Sequence, residues 1–142
     1  MKAVVADTFY WTALTSTEDS SHVRAVHYSR SLLPDKIVTT DEVLDEYLAY
    51  FSSARPSVRV QAGITVAGLL ENARVFVVPQ SRESFITGLE LYRARPDKGY
   101  SLTDCISMQT MRREGLTDVL TNDRHFEQEG FRALFRDSES FR

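Results

Sequence analysis

The residues of this chain that could do chemistry are oxygen donors, not thiols or imidazoles. Asp7 closes the apolar run Val4-Val5-Ala6. Asp104 follows Ser101-Leu102-Thr103, and Asp123 stands within Thr121-Asn122-Asp123-Arg124-His125-Phe126. Asp41, Glu42, Asp45 and Glu46 crowd one segment after Thr40. Three or four carboxylates without a Cys/His framework suit Mg²⁺ or Mn²⁺. Such an ion orients a water, lowers its pKa and stabilises charge on a phosphate during in-line attack. Zinc is not the expected ion. The chain has three histidines, His22, His27 and His125, with no His-x-x-x-His pair and no thiol beyond Cys105.

Each acid also has a plainer reading. Asp7 suits a helix N-cap. Asp104 stands three residues after Ser101, the spacing of a capping box. Against that, Asp104, Met108 and Met111 share one helical stripe, and a carboxylate on a partly apolar stripe needs a partner. Asp41 and Glu42 suit the positive end of a helix. Glu46 lies deeper in the same helix, at the edge of its apolar face, with Glu42 its competitor one turn earlier. Asp118 competes with Asp123 but precedes the strand that Asp123 follows.

The elements that must position these acids alternate. Strands are expected at residues 2–6, 36–39, 74–78 and 119–121, with a short last one at 133–135. Helices are expected at 8–14, from Ser20/Ser21 to about 33 with Pro34 as the stop, and at 41–52, 56–70, 81–94 and 101–114. Pro56 suits a first helical turn, and Gly115 suits a C-terminal cap. Val43, Leu44, Tyr47, Leu48 and Phe51 form one apolar stripe. Residues 58–70 are apolar and rich in small residues, which reads as core or an oligomer face. The alternation implies an α/β fold with a largely parallel sheet. In such sheets sites form at the carboxyl ends of strands where the strand order reverses, and Asp7 and Asp123 both follow strands.

Composition bounds the class. The chain has 142 residues, 42% hydrophobic and 26% charged, which is globular composition and one domain's length. A lone cysteine excludes a disulfide framework. No apolar run approaches the ~20 residues needed to span a bilayer. The opening residues, soon acidic, do not read as a secretory signal, so a cytoplasmic protein is expected. The net charge of −3 argues against coating nucleic acid by bulk charge. Fourteen arginines against three lysines favour bidentate phosphate or carboxylate contacts. Arg93, Arg95 and Lys98 form a basic loop before Asp104 and are candidate phosphate contacts.

Four segments together resemble the PIN-domain ribonucleases, especially the VapC-type toxins of toxin–antitoxin pairs. They are Val5-Ala6-Asp7-Thr8, Thr39-Thr40-Asp41-Glu42-Val43-Leu44-Asp45-Glu46, Tyr100-Ser101-Leu102-Thr103-Asp104-Cys105 and Leu120-Thr121-Asn122-Asp123-Arg124-His125-Phe126. Order and approximate spacing fit along nearly the whole chain. The resemblance implies a single PIN-like domain over 1–142, with helices flanking a mostly parallel four- or five-stranded sheet of order 3-2-1-4-5. It implies Asp7, Glu46, Asp104 and Asp123 as catalytic, metal-holding acids, the family's Val-Leu-x-Glu pattern favouring Glu46 over Glu42. Thr8, Thr40, Ser101 and Thr121 match polar positions around that site. The implied activity is Mg²⁺- or Mn²⁺-dependent endoribonuclease action on RNA. The implied partners are a small antitoxin and a second copy of the chain in a homodimer.

Rival classes fit less well. A phosphoaspartate hydrolase wants a second acid two residues after Asp7, where Phe9 stands. A receiver-like domain wants paired acids after the first strand. A non-catalytic PIN-fold module that binds RNA or protein is the alternative, but it need not keep four acids.

Overall fold

A computed structural model describes residues 3–31 and 36–137. At its centre lies β1 (Ala3–Ala6), a short run whose Val4, Val5 and Ala6 are all buried. A strand buried on both faces is the mark of a covered parallel sheet. The chain continues through α1 (Thr8–Thr15) and α2 (His22–Ser31) to β2 (Lys36–Thr40). Next come α3 (Asp41–Tyr50), α4 (Pro56–Glu71) and β3 (Val75–Val78). After α5 (Arg82–Ala94) and α6 (Leu102–Glu114), the chain enters β4 (Asp118–Leu120), α7 (Arg124–Gln128) and β5 (Arg132–Ala133).

All four strand pairings are parallel, and the order is β3-β2-β1-β4-β5. The chain builds outward from β1 to β3, then returns to the other side of β1. The order therefore reverses between β1 and β4, which opens a crevice at their carboxyl ends. Val5 pairs with Val119 and Ala6 with Leu120, so Asp7 leaves the sheet beside the end of β4.

Strand alternation divides the core into two layers. Val4 and Ala6 pack with Tyr10, Trp11, Tyr28, Tyr47 and Phe135 on one face. Val5 packs with Leu91, Met108, Met111 and Phe126 on the other. The helices start where their caps dictate. Thr40 Oγ1 accepts from the Val43 N–H at 3.0 Å, and Ser101 with Asp104 forms a reciprocal capping box. Gly115, at φ 67°, closes α6 in the left-handed conformation that glycine tolerates. A Cβ on Gly88 would lie 2.5 Å from Ile106 Cγ1, so this glycine lets α5 and α6 approach closely.

Three expectations change. Residues 58–70 are core along one stripe only: Ala62 is buried and Val58, Val66 and Leu69 pack against the core, while Val60, Ile64 and Leu70 are more than half exposed. Leu48 leaves the buried stripe of α3 and is 38% exposed. The helix α7 is absent from the sequence expectation, and the last strand falls at Arg132–Ala133 instead of 133–135. The expected stop at Pro34 lies outside the described residues. No helix among the described residues is long and apolar enough to cross a membrane.

Candidate functional site

The crevice at the ends of β1 and β4 is lined by Asp7, Glu46, Asp104 and Asp123, with Thr8, Ser101 and Asn122 between them. Phe9, Thr12 and Tyr50 form its outer wall. No lysine or arginine is among the described residues that line it.

Asp7 is buried, and its side chain makes no capping bond to α1. It accepts instead from the Thr121 hydroxyl at 2.8 Å. Burial first, and then the charge of Asp104, push its carboxyl up to about 7, against the pull of the Thr121 bond. Asp104 is also buried. Its Oδ2 accepts from the Ser101 N–H at 3.2 Å, and its own N–H donates to Ser101 Oγ at 3.0 Å. The capping and cleft readings of Asp104 are thus both geometrically true. Burial is the main cause that raises the Asp104 carboxyl, and the charges of Asp123 and Glu46 add to it.

Asp123 caps α7, its Oδ1 accepting from the His125 N–H at 2.9 Å. Its own N–H donates to Thr121 Oγ1 at 3.1 Å, so one threonine serves both strand-end acids. Glu46 reaches the cleft from the middle of α3, whereas Glu42 borders a different depression with Gln80, Ser81 and Arg82. Asp118 starts β4, at the far end of that strand, 3.8 Å from Arg132 Nη1.

The four polar positions divide. Thr121 and Ser101 bind the acids directly. Thr8 lines the cleft with a buried hydroxyl oxygen that has no hydrogen-bond partner. Thr40 is not among the residues that line the cleft, and its hydroxyl oxygen caps α3. The basic loop stands apart from the acids. Arg95 is bound to Glu129 at 2.9 Å, Lys98 faces Asp97 at 3.9 Å, and neither they nor Arg93 line the acid cleft.

The structure adds His125, which sequence reasoning set aside. Its Nδ1 lies 3.2 Å from Asp123 Oδ1 and 3.7 Å from Asp104 Oδ2. That nitrogen is buried and makes no well-aligned hydrogen bond. One donor atom each from Asp104, Asp123 and His125 falls within 4.8 Å of the others. Tyr50, Phe9, Thr12 and Asn122 were missed as well. The signal for Tyr50 was its i+4 spacing from Glu46, which puts both on one helix face.

The donor set fits a hard divalent cation. It is oxygen-rich, burial and neighbouring carboxylate charge raise the pKa of Asp7 and Asp104, and no lysine or arginine is among the described residues that line the cleft.

A family model described as the PIN domain matches residues 4–131. Comparison with curated proteins finds no match. Solved structures share the fold. The Mycobacterium tuberculosis VapC20, a Sarcin-Ricin loop cleaving toxin, superposes with a TM-score of 0.81 at 23% identity, covering 90% of this chain and 95% of that one. VapBC2 from Rickettsia felis, bound to a DNA fragment from its promoter, gives 0.65 at 16% identity, with coverages of 92% and 96%. FitAcB from Neisseria gonorrhoeae gives 0.64 at 14% identity, with 92% and 95%.

Proposed function

This chain belongs to the PIN-domain family, and from that premise we propose that it is a Mg²⁺- or Mn²⁺-dependent endoribonuclease. The observation that carries the reading is the convergence of Asp7, Glu46, Asp104 and Asp123 in one crevice, with no lysine or arginine among the described residues that line it. Those four acids would hold the cation, with His125 beside Asp104 and Asp123. When bound, the cation supplies Lewis-acid activation of water and neutralises charge on the phosphodiester.

The protein's own groups prepare the site. Thr121 orients Asp7 and Asp123 from a single hydroxyl. Asp7, raised to about 7, would have to be deprotonated to hold a cation, so occupancy would be coupled to pH. Thr8 Oγ1, buried and unpartnered, is available to donate to a phosphate oxygen. Tyr50, 65% exposed beside Phe9 on the cleft wall, offers a ring on which an RNA base can stack.

The described residues act as part of one PIN domain spanning the chain. The neighbours VapC20 and VapBC2 support the finer reading of a toxin that cleaves RNA and pairs with a small antitoxin, and a cytoplasmic location and a homodimer are part of the same proposal. An antitoxin that places an arginine or lysine among the acids would meet the strongest local negative field on the surface.

The decisive experiment incubates purified protein with several structured RNAs in Mg²⁺, in Mn²⁺ and in chelator. Cleavage that needs the metal supports the reading. RNA binding without cleavage under any of these conditions would replace it with a non-catalytic module.

A further inference from the structure

The acids ride on separate pieces of the fold, and the sheet fixes only some of them. Asp7 and Asp123 follow adjacent, hydrogen-bonded strands. Asp104 rides on α6, so its distance from Asp123 depends on how α6 sits against α7. One residue binds both helices. Glu129, the cap residue after α7, has a side chain only 4% exposed. Its Oε2 accepts from Arg95 Nε at 2.9 Å and from the Tyr100 hydroxyl at 2.8 Å. Its Oε1 accepts from Arg112 Nη2 at 2.7 Å.

The three donors occupy telling positions. Arg95 caps the end of α5, Tyr100 directly precedes the Ser101 cap of α6, and Arg112 lies in the last turn of α6. One carboxylate therefore holds both ends of α6 to the end of α7. The Tyr100 ring packs on His125 with centroids 5.2 Å apart, and His125 touches both Asp104 and Asp123. Burial alone would raise the Glu129 carboxyl, yet the bonds from Arg112, Arg95 and Tyr100 outweigh it and hold it down at about 2. Buried ion pairs are weak sources of net stability, and groups behind metal ligands are a known means of orienting them.

We propose that Glu129 is a positioning residue: by clamping Arg95, Tyr100 and Arg112 it sets the separation of Asp104 from Asp123, and with it the cleft's affinity for a divalent cation. This rests on the reading of the acids as a metal site. Glu129 touches neither cation nor substrate and acts through Tyr100, His125 and the start of α6.

The test is calorimetric titration with Mn²⁺ alone, well below the melting temperature, on the wild type, Glu129→Gln, Tyr100→Phe and Glu127→Gln. Loss of an orienting group behind a ligand typically weakens metal binding about 10–100-fold. Glu129→Gln should fall in that range, and Tyr100→Phe, which keeps both arginine pairs, should weaken binding less. Glu127→Gln, on the helix that Glu129 caps, removes only the charge of the exposed pair with Arg136 and should bind Mn²⁺ like the wild type. In RNA cleavage, Glu129→Gln should need more Mn²⁺ for half-maximal rate but approach the wild-type rate at saturation. Should Glu129→Gln fail to fold, Tyr100→Phe decides. Wild-type Mn²⁺ affinity in the folded Glu129 and Tyr100 variants would overturn the proposal. Absence of Mn²⁺ binding by the wild type would overturn the metal reading itself, and this inference with it.

Discussion

The Thr121 hydroxyl donates to Asp7 Oδ2 at 2.8 Å across 114 residues of sequence. This bond favours the charged form of Asp7 and opposes the effect of burial. Thr121→Val should therefore raise the Asp7 pKa further and weaken Mn²⁺ binding near neutral pH, by about tenfold. Titration calorimetry at two pH values checks this. The defect should shrink at higher pH, and a pH-independent loss would mean that Thr121 acts on shape alone.

Asp7→Asn and Asp104→Asn keep side-chain volume and remove charge. Each should lower metal-dependent RNA cleavage by at least about 100-fold, the scale on which one preorganised electrostatic group is felt. Circular dichroism should show both variants folded. Asp118→Asn, at the opposite end of β4, should cleave at nearly the wild-type rate. Near-full activity in either cleft variant would undo the site assignment.

In chelator, stability should depend on pH with a sign set by two carboxylates. Asp7 titrates near 3.8 unfolded and about 7 folded, so its contribution is full below pH ~4 and is lost as pH rises toward 7. By the same relation the loss is on the order of 4 kcal/mol. Glu129 runs the other way: lowered to about 2, it stabilises above pH ~4.5 and loses that contribution as pH falls toward 2. Chemical denaturation across pH should show the metal-free protein losing stability between pH ~4 and 7. Asp7→Asn should flatten that limb and, near neutral pH, be more stable than the wild type.

Mn²⁺ should reverse the penalty. At a hundred times its dissociation constant, an ion that binds only the folded state adds about 2.7 kcal/mol. For a chain of this length that is an upward melting shift of roughly 10 °C. Asp7→Asn should show a smaller shift. Scanning calorimetry in chelator and in Mn²⁺ compares the two, and equal shifts would mean that Asp7 is not a ligand.

Tyr50 stands on the cleft wall one turn beyond Glu46 and is 65% exposed. If it stacks on a base, Tyr50→Ala should raise KM for RNA about tenfold, since such stacking contributes ~1–3 kcal/mol. Mn²⁺ affinity should not change. Tyr50→Phe keeps the ring and should behave as the wild type. A fall in kcat with KM unchanged would place Tyr50 in the chemistry instead.

What the sequence disclosed and what it hid have physical reasons. The strand–helix alternation and the caps at Thr40 and Ser101 are local signals, and each marks the start of its helix. The order 3-2-1-4-5 came through family resemblance, and the pairing of β1 with β4 agrees with it. Helix α7 was invisible because five residues show no apolar period. With it went the view of His125 turned toward Asp104. Thr40 and Arg95 show that sequence gives a side chain's reach but not its partner. The Val43 N–H takes the first, and Glu129, 34 positions away, takes the second. Residues 58–70 looked like core because composition does not tell which apolar faces the rest of the chain covers.

The central place of β1 governs timing as well as shape. Asp7 precedes its neighbours β4, Thr121 and Asp123 by more than a hundred positions. Chains are synthesised from the N-terminus, and contacts so distant in sequence close late. A growing polypeptide that has not yet delivered β4 lacks Thr121 and Asp123 and cannot complete the crevice. The cleft is thus assembled only once β4 has joined β1, so its completion reports on long-range pairing and not on any local element.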